Sequence, residues 1–463
     1  MNHAPRGRFR RRLALLAGVS LAIVLGVQPL IASSAHAAPK QASGPTTITF
    51  RGQSYDFTAA GATPPTDAQC RAVGSHRPCY SPQEIRNAYG LAPVINAGYV
   101  GTGQTIVIID SFGSPTIASD LATFDAGYGL PDPPSFTILA PLGTVPFDPN
   151  GPDMIGWAAE TTLDVEWSHA MAPGANIVLM TSPVDETEGV QGLPEFLKLE
   201  QYALDHHLGK IISQSWAATE NTLMNDAGKQ VIHNFETFYE RAAREHVTVF
   251  SSTGDSGSAN VDVNGNNFPF PTVNYPASSK WVSAVGGTSL FADTSGAYQS
   301  ETVWNNGPGS ATGGGVSQIF EEPNFQKTTL NSGDQAILNH HRGIPDISWN
   351  ANPRTSILIY LSFLTPGFYR IGGTSEGSPQ LAGMIADANQ WAGRPLGYLN
   401  PALYALGSGA NYSADFHDVT VGDNSNQGIP GYSATPSWDA ATGWGTPNAT
   451  NLLAGLIAAT ARH

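Results

Sequence analysis

QTIVIID, Gln104 to Asp110, is a run of β-branched and apolar residues that closes on an acid. Such a run suits a strand covered on both faces, as in a parallel sheet, and its acid falls where a strand hands over to a functional loop. Downstream, helical patterns at Ile117 to Tyr128, Trp157 to Ala172, Leu193 to His206 and Gly228 to His246 alternate with strand runs at Asn176 to Met180, Lys210 to Ser215 and Val247 to Ser252. Further strands are expected near Trp281 to Val285 and Ser356 to Tyr360, and a Pro- and Gly-rich loop fills the space up to Gly156. This alternation predicts an α/β fold, a largely parallel sheet with helices on both faces. Upstream, Ser81 to Tyr89 carries a cap and a helical pattern, and Thr46 to Phe57 reads as a single strand within a Ser/Thr/Ala/Pro-rich stretch. One large domain is therefore expected over residues 81–463, with residues 38–80 as a short arm or pro-segment.

The first twelve residues hold five arginines and no acid, Leu13 to Leu30 is mostly apolar, and Ala35-His36-Ala37 offers a small-x-small cleavage site. These features predict a secretory signal over residues 1–37, and hence an extracellular protein, with a retained anchor or a twin-arginine signal as alternatives. Without those five arginines the chain keeps 17 Lys and Arg against 37 Asp and Glu, a formal charge of −20. Such a surface excludes nucleic acid and anionic lipid as natural partners. At about pH 3 to 4 most carboxylates neutralise and few cations remain to repel one another, which suits work in acid as well as it suits any acidic secreted protein. Cys70 and Cys79 are an even pair, expected to form one disulfide worth roughly 2 to 3 kcal/mol, and are too few for a structural zinc site.

Three stretches carry candidate chemistry. IGGTSEGSPQLAGMIA, Ile371 to Ala386, sets Ser375 between a Gly-rich approach and a helix start, with Pro379 in the first turn. Backbone N–H groups and the helix dipole there favour developing negative charge, and Gly372 and Gly373 permit a close approach of other backbone. Ser375 thus suits a nucleophile, although Ser375 or Ser378 equally suits a plain helix cap. On the helix from Trp157, Glu160 and Asp164 are four apart and share a face beside Leu163 and Trp167. Like charges at that spacing repel, so the pair belongs either to solvent or to a purpose. SSTGDSG, Ser251 to Gly257, follows a strand and either aims Asp255 into a cleft or forms an ordinary Asx turn. Of twelve histidines none sits in a Gly-rich setting; His206-His207 and His340-His341 read as surface, so a histidine base has little support.

With these residues, the ordered segments SPQEIRNAYGL, TGQTIVIIDSFGSP, ETTLDVEWSHAMAPGANI, ISQSW, FSSTGDSG, YPASSKWVSAVGGTSL, GGGVSQIFEEPNFQ, RGIPDISWNANP, GGTSEGSPQLAG and WDAATGWGTPN resemble the sedolisin family of serine-carboxyl peptidases, which have a subtilisin-like fold. The resemblance spans nearly all of residues 81–463. It implies hydrolysis of protein or peptide substrates through an acyl-enzyme on Ser375, with Glu160 as general base, Asp164 as its support and Asp255 holding the oxyanion. A glutamate base works near its own pKa of about 4.3, and a protonated Asp255 can donate a hydrogen bond, so both roles call for acid. The resemblance also implies that Gln214, Ser215 and Trp216 form a strand edge for substrate backbone. It further implies one structural Ca²⁺ ion near the C-terminus, on the carboxylates of Asp418 and Asp439 and the carbonyl of Val419. Thr435 and Ser437 stand where the family often has glycines that lend backbone carbonyls.

Two departures stand out. The family usually carries a large N-terminal prodomain, whereas about 40 residues separate the expected signal from Ser81. Glu376 follows the nucleophile where a small residue is commoner, and is expected to place an extra carboxyl near the cleft. The expected protein is a monomer without stable membrane association. The competing readings are a catalytically silent peptide-binding scaffold of the same fold and a subtilisin-type Asp-His-Ser hydrolase that uses Asp110.

Overall fold

The computed structural model describes residues 47–50 and 53–461, with side chains from Tyr55 onward. The expected signal over residues 1–37 lies outside the described residues. Among those described, no helix is long and apolar enough to cross a membrane.

An eight-stranded sheet forms the centre. Its strands run in the order Tyr298–Val303, Ser283–Ala292, Thr248–Ser252, Ile211–Gln214, Thr105–Ser111, Asn176–Ser182 and Phe136–Leu139, with Ile347–Asn350 also pairing to Ser283–Ala292. Every pairing is parallel except that between Ser283–Ala292 and Tyr298–Val303. The run that begins with Thr105 is central because both its faces are apolar and buried from Ile106 onward. Chain order reverses around it: Asn176–Ser182 joins one side and Ile211–Gln214 the other. Ligands bind at such a reversal, beyond the carboxyl ends of the strands. The register Ile109 opposite Gln214 opposite Ser251 brings Asp110, Ser215 and the loop after Ser252 to one edge.

Two expectations need correction. The loop before Gly156 contains the edge strand Phe136–Leu139, and the next helix already begins at Pro152, since proline suits a first helical turn. Thr46 to Phe57 is not one strand but two, Thr47–Phe50 and Gln53–Ala60, paired antiparallel. This N-terminal hairpin joins a second sheet, in which Gln53–Ala60 pairs with Gly367–Ile371, which pairs in turn with Ser356–Leu361. The strand expected at Ser356 to Tyr360 thus belongs to this smaller sheet and not to the parallel one. Cys70 and Cys79 form the expected disulfide, with Cα atoms 5.9 Å apart.

Helices pack on the sheet, and two of them decide the site: Pro152–Met171, here the acid helix, and Gly377–Ala392, the serine helix. They cross at Gly383, where a Cβ would lie 2.6 Å from Met171 Cβ and 2.8 Å from the Ser168 carbonyl oxygen. Only glycine admits that approach, so the crossing is a property of this residue.

The core holds many carboxyls. Burial lifts Glu166, Glu200, Glu376 and Asp387 well above the ordinary carboxylate range, Asp120 to about 6, Glu236 to about 7 and Asp125 to about 8. Each binds its proton more tightly folded than unfolded. Its contribution to stability is therefore complete below about pH 4 and is lost as pH rises through its folded pKa. His169 and His417, lowered by burial to about 4, act the other way, and their contribution is lost as pH falls from about 6.5 toward 4. The carboxyls outnumber them. Calorimetry of the Ser375→Ala protein should show a thermal midpoint that falls steadily between about pH 5 and pH 8; a midpoint that is flat or rising over that window would refute this account.

Candidate active site

The acid helix is buried on every side from Ile155 to Met171, which is why its pattern shows no solvent face. Glu160 and Asp164 are 1% and 0% exposed, so the pair is not surface decoration. Each meets a hydroxyl from another element. Tyr55 Oη donates to Glu160 Oε2 at 2.7 Å, and Ser215 Oγ donates to Asp164 Oδ1 at 2.9 Å. Asp110, at the end of the central strand, is fully buried near them. Burial first, and then the charge of Glu160, pushes the Asp110 carboxyl well above its usual range. Burial followed by the charges of Asp110 and Glu160 does the same to Asp164. Carboxyls so placed resist ionising together, which holds the protons of Asp110 and Asp164 above the range in which free carboxyls lose them.

Ser375 is delivered by the strand Gly367–Ile371. Gly372 packs so tightly on Pro353 that a Cβ would lie 2.3 Å from its nitrogen, and Gly373 has φ +137°, a conformation that a side chain would strain. A 3₁₀ turn over Thr374–Glu376 then leads into the serine helix. No side chain caps this helix at Glu376, its N-cap residue. Ser378 instead shares a hydrogen bond with Ser213 Oγ at 2.9 Å, inside the core, while Ser375 faces the cleft. The plain-cap reading is thereby set aside.

Asp255 follows Thr248–Ser252 in a loop tied to the nucleophile's neighbour. The Gly254 N–H donates to Thr374 Oγ1 at 2.9 Å, and that hydroxyl donates to Asp255 Oδ1 at 2.9 Å. The Thr374 N–H donates to the same oxygen at 2.7 Å. With Oδ1 occupied as an acceptor, the proton of a neutral Asp255 resides on Oδ2.

These elements enclose a cleft of about 440 Å³ lined by Glu160, Ser215, Trp216, Asp255, Thr374 and Ser375, among others. Asp153, Asp185 and Glu188 add carboxylates to its wall, and among the described residues no lysine, arginine or histidine lines it. His169, a buried histidine, hydrogen-bonds the Pro131 carbonyl at 2.8 Å and lies beside Asp125.

Other expected residues fall elsewhere. Gln214 is buried behind the cleft, where its amide donates to Glu200 and, at 2.9 Å, to Tyr239 Oη; only Ser215 and Trp216 of that trio line the cleft. Glu376 does not place a carboxyl at the cleft. It is fully buried and accepts from Asn350 Nδ2 at 2.8 Å, because the 3₁₀ turn rotates it away from the side that presents Ser375. In the C-terminal loops, Tyr412 Oη donates to Asp418 Oδ1 at 2.8 Å and feels the charges of both Asp418 and Asp439. The N–H of Thr435 reaches Asp439 Oδ2 and that of Ser437 reaches Asp418, each at 3.2 Å, and Ser437 has φ +72°. Among the described residues no group of three or more His, Cys, Asp or Glu side chains gathers as a metal cluster. Tyr55 and Thr374 were not singled out from the sequence. Thr374 had a signal, standing next to Ser375 in GGTS, and Tyr55 had none.

Comparison with known proteins gives this geometry its relatives. The Peptidase_S8 model, described as the Subtilase family, matches residues 151–401, more than half of the chain. Kumamolisin of Bacillus sp. (strain MN-32) is 34% identical over 397 residues, covering 84% of this chain and 66% of that protein. Sedolisin of Pseudomonas sp. (strain 101) is 29% identical over 384 residues, covering 81% and 61%. Tripeptidyl-peptidase 1 of Homo sapiens is 30% identical over 321 residues, covering 64% and 52%. The chain thus spans between half and two thirds of the length of these curated relatives. Among solved structures, Pseudomonas sedolisin (serine-carboxyl proteinase) complexed with two molecules of pseudo-iodotyrostatin superposes with a TM-score of 0.67 at 28% identity, over 82% of this chain and 99% of that one. Ordered motifs, a parallel sheet with its cleft at the carboxyl edge, and a family match over half its length all agree: the chain belongs to the subtilase family, in its sedolisin group.

Proposed function

We propose that this protein is a secreted, acid-acting serine-carboxyl peptidase that cleaves protein or peptide chains through an acyl-enzyme on Ser375. The observation that carries the reading is the cleft itself, which Ser375 and Glu160 both line, with no histidine on its wall among the described residues. Ser375 Oγ attacks the scissile carbonyl carbon and its proton passes to Glu160. The oxygen that gains negative charge accepts a hydrogen bond from the protonated Asp255. Glu160 then returns the proton to the leaving amine as the C–N bond breaks. Water repeats the sequence on the acyl-enzyme, with Glu160 again as base, and regenerates the serine. Asp164 and Asp110 keep protons close to Glu160 without supplying a positive charge. Secretion rests on the N-terminal leader pattern and on the Cys70–Cys79 bond, which suits an oxidising compartment.

Hydrolysis of an acid-unfolded protein, followed from about pH 3 to pH 8, tests the reading. A maximum below about pH 5 is the expected result, because a glutamate base works near its ordinary pKa of about 4.3 and Asp255 can donate to the oxyanion only as the neutral acid. A maximum near pH 8 would transfer the chemistry to a histidine base and refute the assignment.

The same reading includes one structural Ca²⁺ ion. The donor types suit a hard cation: the carboxylates of Asp418 and Asp439 both act on Tyr412, and the N–H groups of Thr435 and Ser437 bind Asp439 and Asp418, so these loops are tied together. With only two carboxylates, backbone oxygens and water complete the shell, and the ion would pin the C-terminal loops together. Excess calcium should raise the thermal midpoint relative to chelator, by the equivalent of about 3 to 4 kcal/mol at 100 to 1,000 times the dissociation constant. Asp418→Asn should abolish the response. Identical midpoints of the unaltered protein in chelator and in calcium would remove the ion from the account.

A further inference from the structure

The residue that touches the proposed base comes from a part of the chain outside the family match. Tyr55 lies on Gln53–Ala60 of the N-terminal hairpin, is 0% exposed, and donates its phenol proton to Glu160 Oε2 at 2.7 Å. Its strand is not loosely laid on the surface. It pairs with Gly367–Ile371 in the register Asp56 opposite Arg370 and Phe57 opposite Tyr369. The Phe57 and Tyr369 rings meet edge to face at 5.3 Å. The strand it pairs with is the one that runs through Gly372 and Gly373 into Ser375. One strand pairing therefore fixes two things at once, the approach to the nucleophile and a donor on its base.

Tyr55 is not among the residues that line the cleft, so its hydroxyl reaches Glu160 without closing the wall between Glu160 and Ser375. We propose that Tyr55, held by the N-terminal hairpin, is a positioning residue for Glu160, and that the hairpin over residues 47–60 is a retained part of the working protein and not a segment to be discarded. The inference rests on the serine-carboxyl reading, because it assigns Tyr55 to the base of that mechanism.

The chemistry follows from the neighbours. Glu160 faces Asp164 from its own helix, Asp110 from the central strand and Asp255 from the loop after Ser252, and among the described residues no lysine, arginine or histidine lines the cleft. A hydrogen bond donated to a carboxylate stabilises its ionised form, and Tyr55 supplies one to Glu160. Burial, and then the Glu160 charge, pushes the Tyr55 phenol well above its usual range, so it remains a donor throughout the working pH range. The bond to Oε2 also restrains the plane of the carboxyl.

Tyr55→Phe removes the donor and keeps the ring. Loss of a hydrogen bond to the charged form raises the pKa of the base, so the acid limb of the kcat profile should move up by about one pH unit, with kcat at the optimum lowered about tenfold. KM should stay nearly unchanged, since Tyr55 does not line the cleft. The same full-length chain is assayed in parallel as Ser375→Ala. If Ser375→Ala is silent and the acid limb of Tyr55→Phe is unmoved, only the Tyr55 inference falls. If Ser375→Ala remains active, the serine-carboxyl reading falls and takes this inference with it. A faster Tyr55→Phe with an unmoved limb would make the hairpin a blocking strap and overturn the proposal. Intact mass of the active species gives a second test that does not depend on the variant folding: residues 47–60 should be present in the protein that turns over substrate, and full activity in a species that has lost them would refute it.

Discussion

Ser375→Ala should lower kcat on an unfolded protein substrate by about 10⁵- to 10⁶-fold while leaving the thermal midpoint nearly unchanged. The first half follows from chemistry. On the proposed mechanism no acyl-enzyme forms without Oγ, and what remains is water attacking a carbonyl polarised by Asp255, a residual catalysis of about 10³- to 10⁴-fold over solution. The second half follows from how the turn is built. The backbone at residue 375 is shaped by the φ of Gly373, by the two hydrogen bonds from Thr374 to Asp255 and by the helix that begins at Gly377, and none of these involves the serine hydroxyl. Steady-state rates at the pH optimum together with calorimetry check both halves. Retention of more than about one per cent of the rate would mean that another residue is the nucleophile.

Glu160→Gln should cost about 10⁴-fold or more in kcat, because glutamine keeps the shape of the side chain and can accept from Tyr55 but cannot take up the serine proton. Its effect on stability should have the opposite sign. Glu160 contributes to the raised pKa of both Asp110 and Asp164. Neutralising it lowers those folded values toward the unfolded ones, so less stability is lost as pH rises above about 4. The variant should therefore show a higher thermal midpoint than the unaltered protein near pH 7 and little difference near pH 4. A fully active variant would reassign the base. A midpoint that drops at pH 7 would mean that the glutamate is held by attraction and not tolerated against repulsion.

Most of the α/β frame was legible because it depends on local pattern. The apolar run at Gln104 to Asp110 and the helix at Ile117 to Tyr128 appear where their composition places them, since β-branched runs and capped periodic segments carry their own signal. The edge strand Phe136–Leu139 was missed because it is short and only partly buried, so neither length nor alternation marks it. The hairpin was read as one strand because both arms carry strand-forming residues.

The site divides along the same line. Ser375, Asp255 and the Glu160 to Asp164 pair were visible as residues in suggestive settings, and each had an ordinary alternative. The alternatives differed from the functional readings only in burial. A helix-surface acid pair and a buried acid pair share one spacing, and a capping serine and a cleft serine share one motif. Glu376 shows the converse: it adjoins the nucleophile in sequence, yet a 3₁₀ turn sends it into the core to meet Asn350.

The sequence by itself determined the class of fold and the residue types available for chemistry, because strand and helix propensity, glycine placement and motif order are properties of neighbouring residues. Tertiary structure alone decided which of those residues meet. Gly383 lets the acid and serine helices cross at backbone distance, and the parallel register sets Asp110 and Ser215 at one edge of the sheet. Strand pairing carries Tyr55 to a carboxylate 105 positions away. These are long-range contacts made when apolar surface is buried, and no local pattern encodes them.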